Sequence, residues 1–254
     1  MFVNKAFLLW EFSLIDKNSR TPSFMNIPSS IIYVQGLLKP EELQTIESIL
    51  PSVPFENGKA TATGAAREVK NNLQSPKTGD EPTVRIQQIV MTAVATSPYI
   101  QAALMPKFIL SPIISKYRDG MQYGWHTDSP LMSEQNHVIR ADLSMTVFLN
   151  DPETYTGGEL VIHTPTGMVP YKLKKGDAVI YPTTRLHCVN PVTEGERIAA
   201  VTWMQSVIAD TEKRDLLFQL KTVQETLGQQ RSNSGEHLVL QQAYCNLLRM
   251  WAEV

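Results

Sequence analysis

An α+β fold, mainly β, is what this sequence predicts: a barrel or sandwich of short strands with helices before and after it. Three observations lead there. From Phe108 to Ser206, short β-branched and aromatic runs alternate with turn pairs such as Asp119-Gly120, Gly157-Gly158, Thr166-Gly167, Lys175-Gly176 and Glu194-Gly195. Many short strands at regular spacing suit a sandwich or barrel. On either side of that stretch, apolar residues recur at helical spacing instead. The chain has 254 residues, 43% of them hydrophobic and 19% charged; this is an ordinary globular balance, with room for one domain, a sizeable core and a helical appendage.

The elements follow in order. Residues 1–24 read as an N-terminal extension. Its apolar run Ala6 to Trp10 is interrupted by Glu11, and no small-residue cleavage site follows, so it is not read as a secretory signal. Residues 13–30 are polar, contain Pro22 and Pro28, and read as a linker. The region 25–107 then opens with a short strand at Ile31 to Val34. Pro40 to Leu50 is expected to be a helix, with Pro40 in the first turn and Leu43, Ile46, Ile49 and Leu50 on one face. Residues 56–83 hold three glycines and two prolines among few large apolar groups and read as a long mobile loop. Thr83 to Leu104 is expected to be helical, with Pro98 limiting how far it runs.

The region 108–206 carries strands expected at Phe108–Arg118, Ala141–Asn150, Glu159–His163, Tyr171–Leu173, Ala178–Tyr181 and Ile198–Gln205. The region 207–254 is helical again. Leu216, Leu217, Leu220, Val223 and Leu227 share a face with Gly228 as the stop, and Leu240, Tyr244, Leu247, Leu248 and Trp251 repeat the pattern after Asn233-Ser234-Gly235.

Charge and cysteine usage narrow the partners. A formal net charge of −2 gives no reason to expect nucleic acid or an anionic membrane surface. No apolar run is long enough to span a membrane. Cys188 and Cys245 lie far apart, which suits a reducing cytoplasm better than a disulfide framework.

The chemistry starts at His126-Thr127-Asp128. On extended chain, side chains at i and i+2 point the same way, so an imidazole and a carboxylate face one point. His187, on a later strand, is the candidate for a second imidazole. Two His and one carboxylate leave open positions on an octahedral metal, which is the non-haem iron(II) oxygenase arrangement. A bare His-x-Asp is common by chance, and a lone His187 would read as a satisfied core histidine. What shifts the balance is Arg197, at the head of an apolar strand. Turned inward, a buried guanidinium needs an anionic partner, and its planar fork suits a carboxylate. Tyr117, just before the metal strand, either donates its hydroxyl to the same region or is a core tyrosine.

The ordered set now reads Tyr117, Tyr123-Gly124-Trp125-His126-Thr127-Asp128, Asp142-Leu143-Ser144, Gly157-Gly158-Glu159-Leu160, Tyr181-Pro182, His187-Cys188-Val189, then Arg197 to Trp203-Met204-Gln205-Ser206. Together with Val69-Lys70-Asn71-Asn72 and the tail Asn246-Leu247-Leu248-Arg249, it resembles the PKHD-type hydroxylases, a branch of the prolyl-4-hydroxylase-like oxygenases. The resemblance runs from about Met25, which makes Met25 a candidate start. It implies a double-stranded β-helix, or jelly roll, with N-terminal helices packed on it and a C-terminal helical tail. It implies iron(II) on His126, Asp128 and His187, 2-oxoglutarate on Arg197 with Tyr117 beside it, and L-ascorbate as auxiliary reductant. Phe148 stands where some relatives offer a tyrosine hydroxyl. Dioxygen would be the oxidant, succinate and carbon dioxide the by-products. The Asp128 carboxylate fills the position a halogenase leaves for halide, so hydroxylation is expected.

The substrate is left open between peptidyl proline and an iron-uptake-related small molecule. The tail is expected either to cap the barrel or to form a homo-oligomer contact. Two other classes compete: a non-catalytic metal-binding sensor, which would have no need of Arg197, and a cupin-like isomerase or zinc hydrolase. Gly157-Gly158 reads as an ordinary hairpin turn, Cys188 points away from the metal, and His137 and His163 read as surface residues. Tyr123 and Trp125 are read either as core residues or as lining of a substrate channel.

Overall fold

The computed structural model describes residues 31–76, 79–135 and 137–253. The N-terminal half runs β1 (Ile32–Val34), α1 (Pro40–Ile49), β2 (Glu56–Asn57), α2 (Gly64–Glu68), β3 (Lys70–Asn71), β4 (Leu73–Gln74), α3 (Glu81–Thr96) and α4 (Pro98–Leu104). There follow β5 (Pro106–Ile109), β6 (Ile113–Tyr117), β7 (Gln122–His126), β8 (Leu131–Glu134), β9 (His137–Arg140), β10 (Leu143–Phe148) and β11 (Tyr155–Gly157). The rest is β12 (Leu160–Thr164), β13 (Gly167–Tyr171), β14 (Ala178–Pro182), β15 (His187–Val189), β16 (Val192–Gly195), β17 (Arg197–Ser206), α5 (Thr211–Gln230) and α6 (Gly235–Trp251).

Among the described residues the strands form four antiparallel sheets: β8 pairs with β9 and β11 with β16 in two small ones, and the remaining two build the barrel. The larger has the order β1-β14-β10-β17-β6-β4-β2, with β5 also on β17, and the smaller β13-β12-β15-β7-β3. Strand alternation divides the core between two faces of the larger sheet. Leu143, Met145 and Val147 of β10, Ala178 and Ile180 of β14, and Ile198, Ala200 and Met204 of β17 pack outward under Ile46 of α1, Ile86, Val90 and Val94 of α3, and Ile100 and Leu104 of α4. The other face meets the smaller sheet: Tyr117, Phe148, Val179 and Tyr181 pack against Leu160, Ile162 and Val189. This is the jelly roll with N-terminal helices packed on it, and the site lies between its sheets.

The tail packs only in part as its periodicity predicts: Leu216 and Val223, expected on the packed face of α5, are exposed. Tyr244, Leu247, Leu248 and Trp251 of α6 cover Met105, Ile208 and Leu217, and Arg140 is ion-paired to Glu253. No helix among the described residues is long and apolar enough to cross a membrane.

Several expectations are corrected. Residues 56–83 are not one loop: they contain β2, α2, β3 and β4, and these short strands pair into both sheets. Their pattern is hidden because two-residue strands show no periodicity. The helix expected over Thr83–Leu104 is two helices, because Ser97 ends α3 and caps α4 ahead of Pro98. The strand expected over Phe108–Arg118 divides at Ser111-Pro112 into β5 and β6, both of which pair with β17. The strand placed at Tyr171–Leu173 is β13, which lies earlier because it hairpins onto β12. Gly228 does not end its helix; a Cβ there would meet the His237 imidazole at 3.0 Å, so it marks a close approach of α5 and α6. The extension over 1–24, the linker and the Met25 start lie outside the described residues.

Candidate metal centre

His126 and His187 face each other as direct partners on β7 and β15. The pairing runs from His126 back to Tyr123 on one strand while the other advances only from His187 to Val189, so β7 carries one extra residue. This bulge turns both Tyr123 and His126 to the barrel side. Their rings stack at 3.6 Å between centroids with planes 18° apart. Asp128 lies two residues beyond His126, just past the strand end.

The three side chains converge. His126 Nε2 is 3.7 Å from Asp128 Oδ1, and His187 Nε2 is 3.6 Å from Asp128 Oδ2. One ligand atom from each lies within 4.8 Å of the others. Each imidazole is held from behind by the backbone carbonyl two residues earlier. His126 Nδ1 meets Gly124 O at 2.7 Å, and His187 Nδ1 meets Arg185 O at 2.9 Å. A carbonyl there puts the proton on Nδ1, which therefore donates, and leaves the Nε2 lone pair facing Asp128. Burial, and then the neighbouring His187, push the His126 pKa down to about 4, against the pull of Gly124 O and Asp128. At neutral pH it is an uncharged imidazole, the form that can bind a metal. Two imidazoles and a carboxylate, all nearly buried, make a donor set that suits a non-haem iron(II) ion.

Two residues to which the sequence reading gave no role complete the set. Ser144 Oγ and Trp203 Nε1 both donate to Asp128 Oδ2, at 2.8 and 2.9 Å. They are cross-strand partners on β10 and β17. The available signal was parity: Trp203 lies six residues beyond Arg197 on one strand, hence on the same face.

Arg197 opens β17, is 1% exposed and pairs across the sheet with Tyr117. Its guanidinium carbon lies 5.4 Å from the Tyr117 ring centre and 5.3 Å from that of Phe148. Phe148 thus offers a ring face where a tyrosine would offer a hydroxyl. Among the described residues Arg197 has no carboxylate partner, and its buried Nε has no hydrogen bond. A guanidinium so placed is costly unless an anion joins it, so the pocket fits an anionic ligand. Tyr117 is 3% exposed; burial raises its pKa, the Arg197 charge opposes the rise, and it remains a neutral hydroxyl.

Gly157-Gly158 is not the hairpin turn expected: β11 leading into it pairs with β16, and β12 after it pairs with β13 and β15. Both have positive φ, 77° and 68°, and a Cβ on Gly158 would sit 3.1 Å from Arg197 Cδ and 2.8 Å from Val192 Cγ2. The glycines let the chain pass directly over the Arg197 stem. Cys188 is buried outside the cluster, and His137 and His163 are exposed as expected; Trp125 on β7 is 43% exposed, which removes the core reading for it.

Residues 112–205 match the 2OG-Fe(II) oxygenase superfamily, and residues 211–253 match the PKHD-type hydroxylase C-terminal domain. A PKHD-type hydroxylase of Synechococcus sp. (strain JA-2-3B'a(2-13)) is 42% identical over 224 residues, covering 88% of this chain and 100% of that protein. PKHD-type hydroxylase YbiX of Escherichia coli O7:K1 is 38% identical over 223 residues, covering 87% and 99%. Among solved structures, a Trichoplax adhaerens prolyl hydroxylase in complex with a hypoxia inducible factor peptide fragment superposes with a TM-score of 0.51 at 17% identity, over 74% of this chain and 86% of that one.

Proposed function

The chain belongs to the PKHD-type hydroxylases of the 2OG-Fe(II) oxygenase superfamily, and from that premise we propose that His126, Asp128 and His187 hold its iron(II) while Arg197, with Tyr117, holds its 2-oxoglutarate. The enzyme is an iron(II)- and 2-oxoglutarate-dependent dioxygenase. The observation that carries the residue assignment is a convergent pair of imidazoles and a carboxylate beside a buried guanidinium that lacks an anion.

Bound together, iron(II) and 2-oxoglutarate supply oxidative decarboxylation by dioxygen, which yields succinate, carbon dioxide and a hydroxylated product. The protein's own part is arrangement. Gly124 O and Arg185 O aim the two Nε2 lone pairs. Ser144 and Trp203 occupy Asp128 Oδ2 and orient the carboxylate. Arg197 would hold a carboxylate of the co-substrate through its planar fork, with Tyr117 as a further donor. The aromatic lining of Tyr117, Phe148, Tyr155 and Tyr181 keeps water from that end of the pocket. Ascorbate enters the proposal as auxiliary reductant on family grounds alone.

For the substrate we carry two classes. Peptidyl proline is supported by the fold-level likeness to a prolyl hydroxylase that binds a peptide fragment. An iron-uptake-related small molecule is the other. A turnover screen against peptides and metabolites, read by mass gain of one oxygen, separates them. Homo-oligomer formation through the tail is also proposed, because Leu216, Val223, Val239 and Met250 are exposed on α5 and α6; a chromatographic mass of a single chain would end that idea.

The assignment of the site is tested by anaerobic titration. A charge-transfer absorption is expected only when iron(II) and 2-oxoglutarate are both present. Asp128→Ala should abolish the band and substrate-dependent succinate release; full turnover by that variant would overturn the ligand set.

A further inference from the structure

The segment from Gly58 to Ser75 belongs neither to the metal set nor to the Arg197 pocket, yet it is stitched into both sheets. Lys70 of β3 pairs with Tyr123 of β7, and Gln74 of β4 pairs with Ser115 of β6. Asn72 sits at the crossing between these two strands and is 3% exposed. Its main-chain carbonyl accepts the Gly58 N–H at 2.9 Å. Its side-chain Oδ1 fills the space beside Gly58, where a Cβ would stand 2.0 Å away. Held in this way, the amide directs Nδ2 to Ser115, whose Oγ accepts its N–H at 2.8 Å. Ser115 is 2% exposed and two residues from Tyr117, so it shares the inner face of β6. Tyr117 in turn is the cross-strand partner of Arg197.

We propose that Asn72, together with Ser115, is a positioning residue for 2-oxoglutarate: it sets the direction of a hydrogen-bond chain that ends with the Tyr117 hydroxyl donating to the anion on Arg197. The inference rests on the reading of Arg197 and Tyr117 given above. An amide N–H can only donate. Ser115 accepts from it, which leaves the serine proton to pass onward. Ser115 and Asn72 lie close enough to the Tyr117 hydroxyl to work against the rise that burial imposes on its pKa, as does the Arg197 charge, and in this scheme they donate to its oxygen. A phenol whose oxygen accepts on one side has its own proton free for the other, where Arg197 lies. Each donor in such a chain polarises the next, and the last bond, to a carboxylate, is charge-assisted. Asn72 touches neither metal nor co-substrate in this scheme; it decides which way Tyr117 points.

The test measures 2-oxoglutarate affinity in anaerobic, iron(II)-loaded full-length protein, from the charge-transfer band. Ser115→Ala and Asn72→Ala should each raise Kd for 2-oxoglutarate about tenfold, the size of one hydrogen bond to a charged group. Iron(II) affinity without co-substrate should be unchanged. In a Tyr117→Phe background neither variant should cost anything more, because the chain has lost its last donor. Where Asn72→Ala does not fold, Gly58→Ala displaces the same amide without removing it and should act in the same direction. Wild-type Kd values in the folded variants, or losses that multiply with that of Tyr117→Phe, overturn the proposal. Failure of the underlying reading looks different: Arg197→Met would then leave 2-oxoglutarate binding intact.

Discussion

Trp203→Phe should weaken iron(II) binding while leaving 2-oxoglutarate recognition by Arg197 alone. The indole N–H donates to Asp128 Oδ2 at 2.9 Å, and Ser144 donates to the same oxygen at 2.8 Å. Together they hold the carboxylate with Oδ1 towards His126. Phenylalanine keeps most of the ring but removes the donor. A hydrogen bond to a charged group is worth about 1.5–3 kcal/mol. The Ser144 bond survives, so the lower end applies, and about 1.5 kcal/mol corresponds to roughly a tenfold rise in the iron(II) Kd, within the range for groups that orient metal ligands. Ser144→Ala should do about the same. The double variant should lose more than the product of the two, because Oδ2 would then have neither donor. The assay is anaerobic iron(II) titration at saturating 2-oxoglutarate, with cobalt(II) spectra taken without co-substrate as a check on geometry. Trp203→Phe and Ser144→Ala variants that both bind iron(II) like the wild type would refute the claim that these bonds orient Asp128.

Arg197→Met should raise the 2-oxoglutarate Kd at least ~100-fold, since it removes a bidentate charge-assisted contact; it should also raise the melting temperature of the co-substrate-free protein, because a buried guanidinium without an anion gives way to an apolar side chain of similar length. Gly158→Ala, at φ 68° and with Arg197 Cδ 3.1 Å from the new Cβ, should lower stability by about 1–2 kcal/mol and raise KM for 2-oxoglutarate more than it lowers kcat. Asp215 has its pKa pushed up to about 6, by burial first, with Glu212 adding to the rise and Arg214 opposing it. A carboxyl with a raised folded pKa binds its proton more tightly when folded, so its contribution favours folding at low pH and is lost as pH rises through about 4 to 6. Asp215→Asn should therefore flatten the fall in melting temperature over that window and stabilise the protein at pH 7 by about 1 kcal/mol, once solvent screening at a half-buried group is discounted.

The parts of the fold legible in the sequence are those whose periodicity survives burial. Helices α1 and α3 each bury one stripe, and α6 packs one against Met105, Ile208 and Leu217; their apolar spacing shows it. The long strands β10, β14 and β17 were found because they are apolar and β-branched. The shortest were not: β2, β3 and β4 span two residues each, and no pattern can be read over that length. They exist because a neighbour pairs with them. Gly228 misled for the same reason, since the close approach of His237 that requires a glycine there is tertiary and leaves no local trace.

The site divides along a similar line, and β10 shows why. Its sequence, Leu143-Ser144-Met145-Thr146-Val147-Phe148, alternates apolar and polar over its first five residues, and every one of the six is buried. Alternation of that kind normally marks a strand with one face in water. Here the apolar side lies under the helices, and the polar side faces the interior between the sheets, where Ser144 reaches Asp128. A polar stripe on a buried strand therefore marks where the barrel keeps its chemistry. Arg197 could be found because one charge at the head of an apolar strand is conspicuous. Ser144 could not, because a serine at a solvent-phase position looks ordinary until the other sheet is known to cover it. Of the proposed ligands, His126 and Asp128 needed only local spacing, whereas His187 comes from a distant strand. Their orientation depends on partners 16 and 75 residues beyond Asp128, and for such partners the phase of each strand is the signal to read once the barrel is assumed.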